Sequence, residues 1–80
     1  MNNRCIYMTE IAKRVKELRI DADVTQTEMA NILGIDQSYY AKYENGKQVI
    51  PTRHIKAICE RFKVSADYIL GLEKGLKWPR

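Results

Sequence analysis

The stretch Gln26–Asn45, QTEMANILGIDQSYYAKYEN, constrains this chain more than any other. Apolar residues recur at helical spacing on both sides of Gly34, so the stretch reads as two short helices hinged at that glycine. Thr25-Gln26-Thr27-Glu28 is a Thr-x-x-Glu capping box, in which hydroxyl and carboxylate each satisfy an orphan amide at a helix start. Met29, Ala30 and Leu33 then face inward. Gly34 can take positive φ without a Cβ penalty and stops the helix. Ile35 drops into the core, and Asp36 is placed to cap the next helix. In that helix Tyr40 and Tyr43 face inward, while Gln37, Ser38 and Lys42 point to solvent. Asn45-Gly46 ends it.

Helical periodicity dominates the flanks as well, and β-type alternation is absent. Met8, Ile11, Val15 and Leu18 form one apolar stripe, with Lys13, Arg14, Lys16 and Glu17 on the solvent side. Thr9 is placed to cap this first helix, and Asp21-Ala22-Asp23 ends it. Pro51 suits the first turn of a fourth helix that turns Ile55, Ile58, Cys59 and Phe62 inward. Val64 closes the next connection. Ser65 caps a short fifth helix, Ala66 to Leu70, which stops at Gly71. The expectation is an all-α, compact five-helix domain over residues 8–72, with tails at 1–7 and 73–80.

Eighty residues make one domain with a single small core. Fourteen Lys and Arg against ten Asp and Glu leave a net charge of +4. The pI near 9.2 fits a polyanionic partner. No apolar run approaches the roughly 20 residues that span a bilayer. MNNRCIYMTE lacks the apolar core of a signal peptide, so a cytoplasmic protein without membrane contact is expected. Cys59 reads as a core thiol and Cys5 as a tail thiol, with no disulfide between them. His54 is the single histidine, so no zinc site is expected. Beside Arg53 it reads as a surface or phosphate-facing group. No paired carboxylates, Cys-His or Ser-His constellation or phosphate-binding glycine loop marks an enzyme, and no cofactor is expected.

Two helices joined by a tight turn can place the second in the major groove of DNA. That role needs short and medium polar side chains near the exposed helix start, and residues 36–45 supply them. Gln37 has the length and chemistry to bond adenine N6 and N7 together. Ser38 can donate or accept, and Lys42 reaches guanine acceptors or the backbone. Tyr39 either meets a thymine methyl or a phosphate, or is a plain surface aromatic. Phosphate contacts are expected to frame the helix. Thr25 and Gln26 stand at a helix N-terminus, where amides and dipole favour an anion. Asn45 and Lys47 lie in the loop after the third helix, and Arg53 lies beyond; Lys56 is a further flanking candidate.

At this point the chain resembles the Cro and lambdoid-repressor class of helix-turn-helix regulators. The resemblance covers roughly Met8 to Leu72. It rests on Arg14-Val15-Lys16 through Arg19-Ile20, on Thr25 through Ala30, on Leu33-Gly34-Ile35, and on Tyr43-Glu44-Asn45-Gly46-Lys47. It continues through Ile50-Pro51 and Val64 to Gly71. It implies a third helix that reads bases at Gln37, Ser38 and Lys42, a phosphate contact at Gln26, and a partly buried salt bridge between Arg19 and Glu44. Tyr40 departs from it, standing where the family carries an aliphatic residue.

The expected activity is therefore sequence-specific binding of double-stranded DNA by a transcriptional repressor occupying its operator. One recognition helix covers few base pairs, so a homodimer on a pseudopalindromic operator is expected. Its surface is assigned to Ile69, Leu72, Leu76 and Trp78, although Trp78 can equally fold back on its own domain. No sensor domain is expected in this length, so control falls to abundance, degradation or a protein regulator. Two alternatives stand beside this reading: a DNA-binding antitoxin that also binds a toxin, and a protein-interaction module that reuses the fold.

Overall fold

The computed structural model describes the backbone of residues 3–72 and the side chains of residues 10–72. Among the described residues five helices follow in order: α1 (Asn3–Asp21), α2 (Gln26–Leu33), α3 (Gln37–Glu44), α4 (Thr52–Phe62) and α5 (Ala66–Leu70). Among the described residues there is no strand, and no helix is long and apolar enough to cross a membrane.

Helix α1 begins well ahead of the expected start, so Thr9 lies inside it rather than capping it. No Gly or Pro interrupts residues 3–10, so nothing local stops the helix from extending toward the N-terminus. Its described inward face is Ile11, Ala12, Val15 and Leu18. Arg14 is not simply on the solvent side. Its guanidinium pairs with Glu10 at 3.2 Å and lies against Gly71, the residue that caps the end of α5.

The capping box at Thr25 is complete. The Glu28 amide donates to Thr25 Oγ1 at 3.1 Å, and the Thr25 amide donates to Glu28 Oε1 at 2.8 Å. Gly34 closes α2 at φ 72°, with its amide donating to Ala30 and Asn31 carbonyls. Asp36 occupies the N-cap position of α3 with extended backbone, but its carboxylate makes no capping bond. Pro51 likewise sits one place before its helix, as the extended N-cap of α4. Ser65 caps α5 through the Tyr68 amide.

The core gathers Val15, Met29, Ala30, Leu33, Tyr40, Tyr43, Ile50, Ile58 and Ile69. Ile35, Ile55, Cys59, Phe62 and Val64 pack against it partly buried. Helix α1 packs on α3 and α5, α2 on α3 and α4, and α4 on α5. Helix α3 is thus held from below by α1 and α2, which leaves its other side open.

The helix stops give a stability test. Lys63 ends α4 at φ 59°, a left-handed conformation that costs an L-residue about 1–2 kcal/mol. Lys63→Gly should raise stability by about 1 kcal/mol. Gly34→Ala should lower it by about 1–2 kcal/mol. That loss is backbone strain alone, since a Cβ at Gly34 meets nothing within 4 Å. Urea melts of both variants check the opposite signs.

Candidate nucleic-acid interface

The site is built on a buried carboxylate. Glu44 ends α3 with its side chain only 2% exposed, and Arg19 reaches it from the last turn of α1. Arg19 Nε donates to Glu44 Oε2 at 2.6 Å and Nη2 donates to Oε1 at 3.2 Å, a two-bond fork. Arg19 Nη1 also donates to the Val24 carbonyl at 2.8 Å, tying the α1–α2 turn to the same point. One helical turn before Glu44, the Tyr40 hydroxyl donates to Oε2. Gln26 Nε2, from the start of α2, donates to Oε1 at 3.0 Å.

Burial pushes the Glu44 carboxyl upward, but the bonds from Arg19, Tyr40 and Gln26, with the Arg19 charge, outweigh it and hold the group below its ordinary value. Arg19 is raised, first by its bond to Glu44. Burial, then the Glu44 carboxylate, keeps the Tyr40 hydroxyl protonated far above the usual phenol range.

The network reaches the surface through Gln26. Its Oε1 accepts from Gln37 Nε2 at 2.7 Å, which joins the start of α2 to the exposed start of α3. Ser38 and Lys42 stand exposed further along α3. Tyr39 is 38% exposed and packs edge-on against Tyr43 with ring centroids 5.5 Å apart, while the Lys42 ammonium lies 5.8 Å from its ring centre. The loop after α3 folds back on the helix end. Lys47 and Gln48 amides both donate to the Lys42 carbonyl, at 2.9 and 3.2 Å, and Gly46 turns the chain at φ 73°. Asn45 and Lys47 are left exposed beside α3, as is Arg53 on α4. Thr25 is exposed too, and its hydroxyl keeps a proton to donate after capping α2.

Besides Thr9, Arg14 and Pro51, three further sequence assignments are corrected. His54 is not a surface group. It is 8% exposed, and its Nδ1 lies 2.9 Å from the Tyr43 hydroxyl, linking α4 to α3. Burial, then the Arg53 charge, lowers its pKa and keeps it neutral. Ile69 is fully buried in the core and offers nothing to a second chain, because the short α5 must turn its one large inward residue onto α1 and α4. Leu72 is exposed, at 47%, whereas Leu76 and Trp78 lie outside the described residues. The third correction is the missing Asp36 cap, described above. Cys59 is a partly buried free thiol; the side chain of Cys5 lies outside the described residues. Among the described residues no cluster of His, Cys, Asp and Glu could hold a metal ion.

Four links escaped the sequence reading: Gln26 to Glu44, Gln37 to Gln26, Tyr40 to Glu44, and Tyr43 to His54. The i, i+4 spacing of Tyr40 and Glu44 was a signal for the first network. Nothing local marks the partners of Gln26 or His54.

Residues 12–75 match the helix-turn-helix domain family. The chain belongs to that family. Antitoxin PezA of Streptococcus pneumoniae serotype 4 is 42% identical over 66 residues, covering 82% of this chain and 42% of its own length. YobD of Bacillus subtilis, an uncharacterized HTH-type transcriptional regulator, is 33% identical over 60 residues, covering 75% of this chain and 54% of its own. The chain therefore spans about half the length of these curated relatives. Among solved structures, the clp gene regulator ClgR of Corynebacterium glutamicum superposes with a TM-score of 0.74 at 19% identity, over 80% of this chain and 68% of that one. The restriction-modification controller protein C.AhdI of Aeromonas hydrophila gives 0.70 at 21% identity, over 78% and 94%. The fold is the all-α, five-helix lambda-repressor-like domain.

Two measurements follow from the buried polar groups. Arg19→Met should cost roughly 3–5 kcal/mol in a urea melt, because it strands a desolvated carboxylate; a loss below about 1 kcal/mol would mean that the pair does not anchor α3. The second is acid sensitivity. With native His54 below its ordinary 6.5, the unfolded chain binds the extra proton between those values, so stability falls as pH falls through that window. Glu44 adds a separate step: its contribution is present above 4.5 and is lost as pH falls through its lowered native value. His54→Leu should remove the first step alone, while costing roughly 1–3 kcal/mol for the unpaired Tyr43 hydroxyl.

Proposed function

We propose that this chain is a sequence-specific double-stranded-DNA-binding transcriptional regulator that represses by occupying its operator. The observation that carries the reading is the open face of α3. Gln37, Ser38 and Lys42 are exposed there, and the first of them is tied through Gln26 to the buried Glu44. Gln37 and Ser38 would meet base edges, with Lys42 a turn further along and Tyr39 at the margin. Thr25, Gln26, Asn45, Lys47 and Arg53 would meet phosphates and set the register. The basic bias of the chain favours a polyanion.

A homodimer on a pseudopalindrome is the proposed binding unit, with half-site centres about 34–36 Å apart. Leu72, together with exposed Tyr68 on α5, is the remaining described candidate for the contact between copies. A second reading rests on one observation, the antitoxin that is 42% identical to this chain. On that reading the chain binds DNA as the antitoxin of a toxin-antitoxin pair, and a toxin protein that co-purifies with it would favour that role.

Salt titration separates positioning from reading. Lys47→Ala should weaken binding to operator and scrambled duplex alike, and should shallow the slope of log affinity against log salt by about one unit per subunit. Gln37→Ala should leave that slope nearly unchanged and cost roughly 1–3 kcal/mol on the operator alone. Equal weakening on both duplexes would remove Gln37 as a reader. Footprinting gives the spacing, and a single unrepeated half-site would count against the dimer.

A further inference from the structure

The amide of Gln37 is the last link in a chain of hydrogen bonds that starts at a buried charge. An ionised carboxylate only accepts, so every group against Glu44 must present a donor. Gln26 obeys by turning its NH2 inward, with Nε2 3.0 Å from Glu44 Oε1, which leaves its own carbonyl oxygen facing α3. That oxygen also only accepts. Gln37 must therefore meet it with Nε2, as it does at 2.7 Å. One N–H and the whole of Oε1 remain on Gln37 for whatever docks on the exposed helix.

A glutamine amide free to turn over shows donor and acceptor in either order, whereas this relay leaves one order. We propose that Glu44, held in place by the Tyr40 hydroxyl, fixes the order of donor and acceptor that Gln37 presents to a base edge, and so sets discrimination at one base pair without touching DNA. The inference rests on the DNA-binding reading and deepens it. Adenine offers an acceptor at N7 beside a donor at N6, which the free N–H and Oε1 of Gln37 complement. Guanine offers two acceptors, N7 and O6, and its O6 would face Gln37 Oε1 lone pair to lone pair.

Tyr40 is the positioning residue in this scheme. Its hydroxyl is the donor to Glu44 that comes from α3 itself, and it shares Oε2 with Arg19 Nε. That leaves Oε1 to Gln26 and to Arg19 Nη2. Both oxygens are thereby filled, and the plane of the carboxylate is tied to the helix that carries Gln37.

The test compares affinity for the preferred duplex with affinity for one in which the Gln37 base pair is changed from adenine to guanine. Wild type should prefer the first by about tenfold or more. Tyr40→Phe keeps the ring and removes the hydroxyl, and should shrink that preference to within about threefold. Gln37→Ala should erase it, and the double variant should show no further change, since Tyr40 acts only through the amide of Gln37. A structural role for Tyr40 alone would weaken both duplexes by the same factor, and an unchanged ratio overturns the inference. If Tyr40→Phe does not fold, Gln26→Met cuts the relay nearer the surface and is read the same way. Failure of wild type on every duplex removes the DNA-binding reading and the inference together. A normal wild-type preference that neither variant changes removes the inference alone.

Discussion

The carboxylate of Glu44 is the constraint on which this fold turns. A charge with almost no exposure must be compensated at short range, and the compensation here comes from three helices. Arg19 brings α1, Gln26 brings α2, and Tyr40 supplies the donor from α3 itself. Apolar side chains can slide by a fraction of an ångström and still be buried. Donors around a carboxylate lose their geometry over the same distance. The network therefore sets the angle and register of α3 against its neighbours more tightly than Met29, Leu33 or Val15 could.

The underside of α3 has a second polar tie. The Tyr43 hydroxyl meets His54 of α4, so the two inward tyrosines of one short helix bond to groups on different elements. Neither contact is a large source of net stability, because both remove polar groups from water before they pair. An apolar pair of similar volume in place of Arg19 and Glu44 would leave the domain about as stable. It would also leave Gln26 with no fixed partner, and Gln37 with no fixed amide. What the buried charge contributes is orientation.

Much of this architecture was legible in the residues. Capping boxes, helix-stop glycines and apolar spacing are local signals, and they located α2, α3 and α5 almost to the residue. The legibility failed where the decision was not local. Helix α1 runs back to Asn3 because nothing forbids it, and an absent stop is a weaker signal than a present cap. Asp36 has the side chain of a cap and makes no capping bond. His54 looked exposed because it sits beside Arg53 at a helix start, but α4 turns it under Tyr43. Ile69 belongs to the core, because a helix as short as α5 cannot spare its largest inward residue for a second surface. The exposed face of α3 was readable from periodicity alone. The network behind that face was not, since through Arg19, Gln26 and Glu44 it joins three helices that only the fold brings together.

That division bears on how the exposed face of α3 stays ordered. An isolated helix as short as α3 is marginal in water, since it has too few internal bonds to offset nucleation. Asp36 adds no side-chain cap to help it. Its order must come from below, from the Glu44 network and from Tyr40 and Tyr43 in the core. The loop after it reinforces the far end, where the Lys42 carbonyl accepts from both Lys47 and Gln48 amides. The exposed side chains of α3 are thus ordered from beneath the helix and from the loop that follows it. Substitutions in the buried network should then alter what the exposed face selects while leaving every residue on that face in place, because the donor and acceptor pattern at Gln37 is set at Glu44 and only displayed at the surface.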